Sequence, residues 1–222
     1  MATKIIVSYD GTENDRDALA LGGALAAAGA ELELAYVRHA HEEQTSAERL
    51  AEEDARALLA SGAELLGALG TPQHVVLSAS TTEGLRDLAV AQDADMVVFG
   101  SEYRTSPGHV DPQASARRLL DGGPIAVGLA PAGFSATSFA PATIGVSAED
   151  GDPCVEETAQ ALARALGADL APRATSTAAL IVVGSKPGTV DGRVRISAAA
   201  EYLIELARCP VIVLPRGVAL RF

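Results

Sequence analysis

The chain has 222 residues, of which 48% are hydrophobic and only 4% are aromatic, and its formal net charge is −12. This length allows one large domain or two small ones, with a core built mainly from Ala, Leu, Val and Ile. A charge of that sign repels nucleic acid and anionic lipid, and no apolar run reaches the ~18 residues that cross a bilayer, so neither nucleic acid nor a membrane is an expected partner.

Hydrophobic periodicity predicts alternating strands and helices over residues 1–131. The predicted strands are short apolar runs at 4–10, 31–37, 74–80, 95–101 and 124–130. The predicted helices between them are amphipathic and span 13–30, about 42–67, 81–93 and about 112–121. Strands that alternate with helices of this length imply βαβ units, a parallel sheet and helices on both of its faces.

After a small, polar linker at 132–141, the same pattern begins again. TIGVSAEDG (143–151) echoes IIVSYDG (5–11), and AALIVVGS (178–185) echoes ADMVVFGS (94–101). Between the first helix and the fourth strand, however, the second copy has only 168–178 where the first copy has 30–94. The sequence therefore predicts a full domain at 1–131 and a shortened one at 142–222, which lacks about two βα units.

The ordered set of strand-end sequences, present in both copies, resembles the universal stress protein family. Asp-Gly follows the first strand at 10–11 and 150–151, and Gly-Ser follows the fourth at 100–101 and 184–185. Cys-Pro-Val opens the last strand at 209–211, and Gly-Pro-Ile at 123–125 is its looser match in the first copy. The chain is identified as a tandem member of this family with a shortened second domain.

This resemblance implies a doubly wound α/β fold, with five parallel strands in the order 3-2-1-4-5 and a reduced second copy that keeps strands 1, 4 and 5. Residues 168–178 leave room for at most a stub of strand 2. The family pairing implies an internal pseudo-dimer through the fifth strands, 124–130 and 211–214. Loss of strands 2 and 3 would leave the strand at 143–147 as an uncovered edge, so we expect a homo-oligomer that associates there, beside a protein partner of unknown identity.

ATP-binding members of the family hold adenosine at the ends of strands 1 and 2 and phosphates on a glycine loop after strand 4. This implies a candidate nucleotide site in the first domain, formed by Asp10, Gly11, Thr12, Val37, Gly100, Ser101 and Arg104. The phosphate side departs from the family pattern, because Tyr103 takes the place of the second glycine. Asp111-Pro112 is predicted to cap and open the fourth helix, so that a carboxylate would occupy the amides that a phosphate needs.

The second domain has the opposite character, with a glycine-rich and basic loop that favours an anion. Its candidate anion site comprises Asp150, Gly184, Ser185, Gly188, Arg193, Arg195 and Ser197. The alternative is a solvated loop in which Ser197 is an ordinary helix cap. Because strand 2 is predicted to be missing, the wall that would hold adenosine is missing too.

Other chemistry finds little support in the sequence. There is no dinucleotide fingerprint, P-loop or nucleophile elbow, and Cys154 and Cys209 fit no metal spacing, so no catalytic residue and no metal site are predicted. We therefore expect a cytoplasmic, non-enzymatic stress-response protein that acts through protein contacts or weak ligand binding, with no cofactor beyond weakly bound ATP or AMP. The alternative is an ATP- or AMP-binding regulatory switch, or a slow ATP hydrolase, that uses the first-domain crevice.

Overall fold

Alternating strands and helices form one nine-stranded sheet with helices on both faces. The computed structural model describes residues 2–39, 46–135, 139, 141–171, 173–174 and 177–222, and for 46–51 the backbone alone. The strands are β1 (Lys4–Ser8), β2 (Glu31–His39), β3 (Gln73–Ser78), β4 (Met96–Phe99), β5 (Ala126–Leu129), β6 (Thr143–Ser147), β7 (Asp169–Ala171), β8 (Leu180–Val183) and β9 (Val211–Val213). The helices are α1 (Glu13–Ala27), α2 (Ser46–Leu65), α3 (Thr81–Gln92), α4 (Ala114–Leu120), α5 (Pro153–Leu166) and α6 (Ala198–Leu206).

The first five strands are parallel and lie in the order β3-β2-β1-β4-β5, which confirms the predicted order 3-2-1-4-5. The central strands are short apolar runs that are buried on both faces; β4 and β5, for example, are buried throughout. Helices α1, α2 and α5 contribute to the core on one face of the sheet, and α3, α4 and α6 contribute to the core on the other. Burial on both faces explains why these strands are continuous apolar runs rather than alternating ones.

The second half continues the same sheet through an antiparallel pair, β5 with β9, and then runs β8-β6-β7. Gly128 lies opposite Ile212 at the centre of this pair, and Ile212 is the equivalent of Gly128 when the second copy is aligned on its Gly-Ser sequence. The flanking pairs are Val127 with Val213 and Leu129 with Val211. The register therefore relates the two halves by a local two-fold axis through the Gly128–Ile212 pair.

Strand β6 is not an edge, so the prediction of an uncovered strand at 143–147 is wrong. The short strand β7 pairs with β6 in parallel. Further along, the N–H of Ala174 donates to the Val146 carbonyl at 2.7 Å, and Ala174 packs against Gly145. Strand β7 and Ala174 thus lie along the side of β6 that was predicted to be uncovered. Residues 172 and 175–176 of this connection, and 136–138 and 140 of the predicted linker, lie outside the described residues.

The C-terminal segment returns from β9 and ties α5 to β1. The Thr158 hydroxyl, fully buried on α5, donates to the Cys154 carbonyl at 2.8 Å and accepts from the Leu220 N–H at 2.9 Å. The Thr3 hydroxyl donates to the Arg221 carbonyl at 2.6 Å and accepts from the Arg221 N–H at 2.8 Å. The C-terminal segment after β9 forms no strand, and these two hydroxyl groups satisfy main-chain groups of Leu220 and Arg221 instead.

Replacement of Thr158 by Val keeps the shape of the side chain but leaves the Leu220 N–H buried without its acceptor. We expect Thr158→Val to lower the free energy of unfolding by about 1–3 kcal/mol. Thr12→Val is the matched control, because Thr12 is exposed and makes no side-chain cap bond, and it should change stability by less than about 0.5 kcal/mol. Urea denaturation measures both, and equal losses would contradict the role given to the Thr158 hydroxyl.

Candidate functional site

A cleft of about 240 Å³ lies at the carboxyl ends of β1 and β2, beside the point where the strand order reverses between β1 and β4. Open α/β sheets bind ligands at this position. The described residues that line it are Ser8, Tyr9, Asp10, Asp15, Tyr36, Val37, His39, Thr81, Gln113 and Ser115. From the predicted nucleotide set, this lining includes Asp10 and Val37 alone.

The turn after β1 holds Asp10 at the cleft. The N–H of Thr12 donates to Asp10 Oδ1 at 3.0 Å, which closes a tight turn around Gly11. Gly11 has a φ of 86°, a backbone conformation that favours glycine, and a Cβ there would lie 2.4 Å from Leu58 Cδ1, so that this side chain would have to shift. Gly11 and Thr12 thus set the direction of Asp10 and do not themselves line the cleft.

A second carboxyl group, Asp15, lies beside Asp10 and is only 4% exposed. Its Oδ2 accepts the Asp10 N–H at 2.5 Å. Burial raises the pKa of Asp15 to about 8, with further contributions from the hydrogen bond to the Asp10 side chain and from the Asp10 charge. Asp15 is therefore mainly a neutral acid at pH 7. The sequence analysis missed it, although its spacing to Ala18, Leu19 and Gly22 places it on the buried stripe of α1.

Helix α1 and the end of β4 are in direct contact. A Cβ on Gly100 would lie 1.8 Å from the Asn14 carbonyl oxygen, so the two backbones touch here. The Asn14 side-chain amide donates to the Ser101 carbonyl at 2.7 Å, and the Gln113 amide donates to the same oxygen at 3.4 Å. Gly100 therefore serves close packing, and the side-chain amides of Asn14 and Gln113 both bond the residue that follows it.

The loop after Gly100 is fixed to the end of β5 by the Ser101 hydroxyl, which is buried. It donates to the carbonyls of Ala130 at 2.7 Å and His109 at 3.3 Å, and accepts the Asp111 N–H at 3.3 Å. Arg104 lies in this loop with a φ of 81°, and its guanidinium stacks on the exposed ring of Tyr103, 5.7 Å from the ring centroid. Arg104 therefore contacts its neighbour rather than the cleft.

The loop of the second half, after Gly184, repeats this arrangement. The Ser185 hydroxyl donates to the carbonyls of Leu214 at 2.8 Å and Arg193 at 3.1 Å, and accepts the Arg195 N–H at 3.1 Å. Gly188, with a φ of 78°, stands where the first loop has Arg104. The two loops thus share one backbone design, and both Arg104 and Gly188 have a positive φ.

Asp111 and Pro112 do not open the fourth helix, so this prediction is wrong. Helix α4 begins at Ala114 with Gln113 at its N-cap and no side-chain cap bond, while Asp111 accepts from the Arg117 guanidinium at 2.5 Å. Pro112 instead pairs with Ser101 in an isolated antiparallel bridge. Because the Ser101 hydroxyl and this bridge hold residues 111–112 extended along Ser101, the helix starts later than the Asp-Pro signal predicts.

The predicted anion set of the second half is divided between two places. Asp150 forms an ion pair with Arg216 and does not line the cleft of about 560 Å³ beside β6, where carboxylates of Glu149, Asp152 and Glu156 lie. Ser197 caps α6 by accepting the Ala200 N–H at 3.0 Å. Gly184 ends β8 with its N–H donated to the Ser147 carbonyl at 2.9 Å.

The two arginines of that set reach toward the first half. The Arg193 guanidinium donates to the Gly122 carbonyl at 3.3 Å, and that of Arg195 lies 3.6 Å from the Asp121 carboxylate. The basic charge of the second loop is thus directed to the junction of the halves and away from its own crevice.

We expect Asp15 to make stability depend on pH. Its folded-state pKa of about 8 lies above the ordinary value of 3.8, so the folded protein holds a proton that the unfolded chain releases between these values. The stabilisation that the bound proton provides is complete when the pH is below 3.8, the ordinary pKa of the group, and it is lost as the pH rises toward 8. Relative to Asp15→Asn, the wild-type free energy of unfolding should fall by up to about 1.4 kcal/mol per pH unit in this interval.

Urea denaturation of both proteins across this pH range measures the difference. Glu13→Gln, a change of an exposed acid on the same helix, is the control and should follow the wild-type curve. If the curves of wild type and Asp15→Asn ran parallel, the raised pKa would be refuted.

The contact at Gly100 predicts a large difference between two equivalent glycines. Gly100→Ala would place a methyl group against backbone, whereas a Cβ on Gly184 would lie 2.7 Å from Cγ2 of Val155, a side chain that can shift. We expect Gly100→Ala to lower the free energy of unfolding by about 3 kcal/mol and Gly184→Ala by about 1 kcal/mol. Equal losses in urea denaturation would show that α1 moves away from Gly100 at little cost.

Known proteins share this architecture. The model of the universal stress protein family matches residues 1–111, half of the chain. A universal stress protein from Archaeoglobus fulgidus is 14% identical and superposes with a TM-score of 0.69, covering 96% of this chain and 98% of that chain. A structure from Pseudomonas aeruginosa, also 14% identical, gives a TM-score of 0.59 and covers 97% of this chain and 94% of that chain.

At these identities the structures establish the fold alone, and they do so over both halves. A search of curated proteins gave no match. None of the described helices is long and apolar enough to cross a membrane. The match of the family model and the strand order together show that the chain belongs to the universal stress protein family.

Proposed function

We propose that this protein is a non-enzymatic stress-response protein that acts through protein contacts or weak ligand binding, and that its first-half crevice does not hold a nucleoside triphosphate tightly. Membership of the universal stress protein family supports the general role. The observation that carries the finer proposal is the contact of α1 with the end of β4, where the Asn14 amide lies 2.7 Å from the Ser101 carbonyl.

The size and charge of the cleft support the same conclusion. Its volume of about 240 Å³ is smaller than the ~300–1,000 Å³ that is usual for small-molecule sites. Asp10 and Asp15 both line it, and neither supplies positive charge for phosphates. Arg104, the arginine of the predicted nucleotide set, is stacked on Tyr103. A triphosphate would have to displace side-chain amides, and among the described residues no lysine or arginine lines the cleft to offset that loss.

A second candidate function is a switch that responds to ATP or AMP, or a slow ATP hydrolase. It is favoured by the position of the cleft, which lies at the switch point of the sheet and brings Asp10 and Val37 together at the ends of β1 and β2. The neutral Asp15 adds a group that can donate a hydrogen bond to a base or a ribose. In this candidate the cleft holds the nucleoside part, and the phosphates extend into solvent.

Titration with a fluorescent ATP analogue, alongside AMP as a competitor, separates the two candidates. We expect no saturation below roughly 100 µM and the same curve for Asp10→Ala as for wild type, because the phosphates gain no partner. Micromolar binding that is lost in Asp10→Ala would instead establish the second candidate. Glu157→Gln, an exposed substitution on α5, controls for nonspecific charge effects.

A further inference from the structure

A second cleft, of about 360 Å³, lies at the junction of the two halves between α4 and α6. Its apolar lining comes in pairs that occupy equivalent positions of the two copies: Pro112 with Ile196, and Leu120 with Ile204. The local two-fold axis set by the β5–β9 register brings such equivalent positions to opposite sides of one cleft. The cleft therefore exists only because the halves are joined, and it is separate from the crevices at the ends of β1 and β6.

The charged residues around this cleft do not obey the same symmetry. Arg117 of α4 is equivalent to Glu201 of α6, so the two copies carry opposite charges at this position. Asp121 is equivalent to Glu205, so both copies carry a negative charge at that position. Lys186 also lines the cleft. Its counterpart in the first loop is Glu102, which is not part of the lining. Positive and negative groups thus face the same apolar space.

Some of these charges are already neutralised within the protein. Arg117 pairs with Asp111 at 2.5 Å, and Arg195 lies 3.6 Å from Asp121. Three others, the Lys186 ammonium and the carboxylates of Glu201 and Glu205, have no side-chain hydrogen bond or ion pair to any residue that the structure describes. One free cation and two free carboxylates, counted among the described residues, therefore remain around a shared apolar floor.

We propose that this junction cleft binds a small zwitterion with an apolar body, namely an amino acid with an apolar side chain or a compound of the same chemistry. The ligand carboxylate pairs with Lys186, its ammonium pairs with Glu201 and Glu205, and its apolar body lies on the half-buried Ile196. Leu120 and Ile204 form the buried layer beneath this site. The cleft volume lies within the range of small-molecule sites, and such sites are common at the junctions of domains.

The distribution of charge distinguishes this ligand class from two simpler ones. A polyanion such as a nucleotide would meet Glu201 and Glu205, and like charges in one site are unfavourable. A simple amine would leave Lys186 unpaired beside it. A zwitterion satisfies both signs at once, and its apolar body removes from water Ile196, the half-buried apolar residue of the lining.

The test is a titration of isotope-labelled, full-length protein with L-leucine and L-phenylalanine, followed by amide chemical shifts. We expect saturable shifts in α4, α6 and the loop at 184–197. Two analogues of leucine serve as matched ligands: 4-methylpentanoic acid, which lacks the amine, and isopentylamine, which lacks the carboxylate. Each should bind at least about tenfold more weakly, because one charged hydrogen bond is lost.

Variants assign the contacts. Lys186→Gln should abolish the preference for leucine over isopentylamine, and Glu201→Gln with Glu205→Gln should abolish the preference over 4-methylpentanoic acid. Glu64→Gln, an exposed change on α2 at the opposite face of the sheet, should leave both preferences intact. Far-ultraviolet circular dichroism confirms that each variant is folded.

Any of three results would overturn the proposal. The first is the absence of saturable shifts for either amino acid up to about 10 mM, a concentration beyond which binding is too weak to be specific. The second is an equal response to 4-methylpentanoic acid and leucine, and the third is unchanged leucine binding in Lys186→Gln. Failure of ATP to bind in the crevice at β1 would have no bearing on these results.

Discussion

The antiparallel pairing of β5 with β9 determines the rest of the molecule. It joins a complete five-stranded unit and a shortened unit into one sheet, so that the hydrophobic layers on each face run across both halves. Both β5 and β9 are fully buried, so water cannot reach their main-chain groups. The N–H and C=O groups that face each other must therefore bond across the pair. The pairing also brings α4 and α6 side by side, and it thereby creates a cleft that neither half could form alone.

The two loops after β4 and β8 show how one backbone can serve two electrostatic purposes. In each loop a buried serine hydroxyl bonds the end of the fifth strand and the far side of the loop. The side chains at equivalent positions then differ in sign, with Glu102 and Asp111 in the first loop and Lys186 and Arg195 in the second. Because the hydrogen bonds that fix the fold involve main chain and serine, the outward-facing charges are free to differ.

Most of the fold could be predicted from the sequence because the strands are fully buried and the repeat is ordered. Continuous apolar runs ended by Gly-Ser, seen twice, lead directly to the family and to the strand order 3-2-1-4-5, and both are confirmed. Strand β7 has only three residues and two of its side chains are half-buried, so it carries too little pattern to be distinguished from a loop. What was predicted as an edge is therefore covered by a strand that periodicity could not identify.

The sites were harder to predict because they depend on contacts between distant segments. The Ser101 hydroxyl accepts the Asp111 N–H, and Gly100 packs on the backbone of Asn14. Burial in the folded protein raises the pKa of Asp15 to about 8.

Joining both units in one polypeptide changes what the surfaces near the two-fold axis can become. In an assembly of identical chains, any substitution beside the axis appears twice, and opposite charges can never face each other from equivalent positions. Here Arg117 and Glu201 do so, because each is encoded separately. The covalent link therefore permits a polarised site on the axis, and an equivalent pair of separate, identical subunits could not have one.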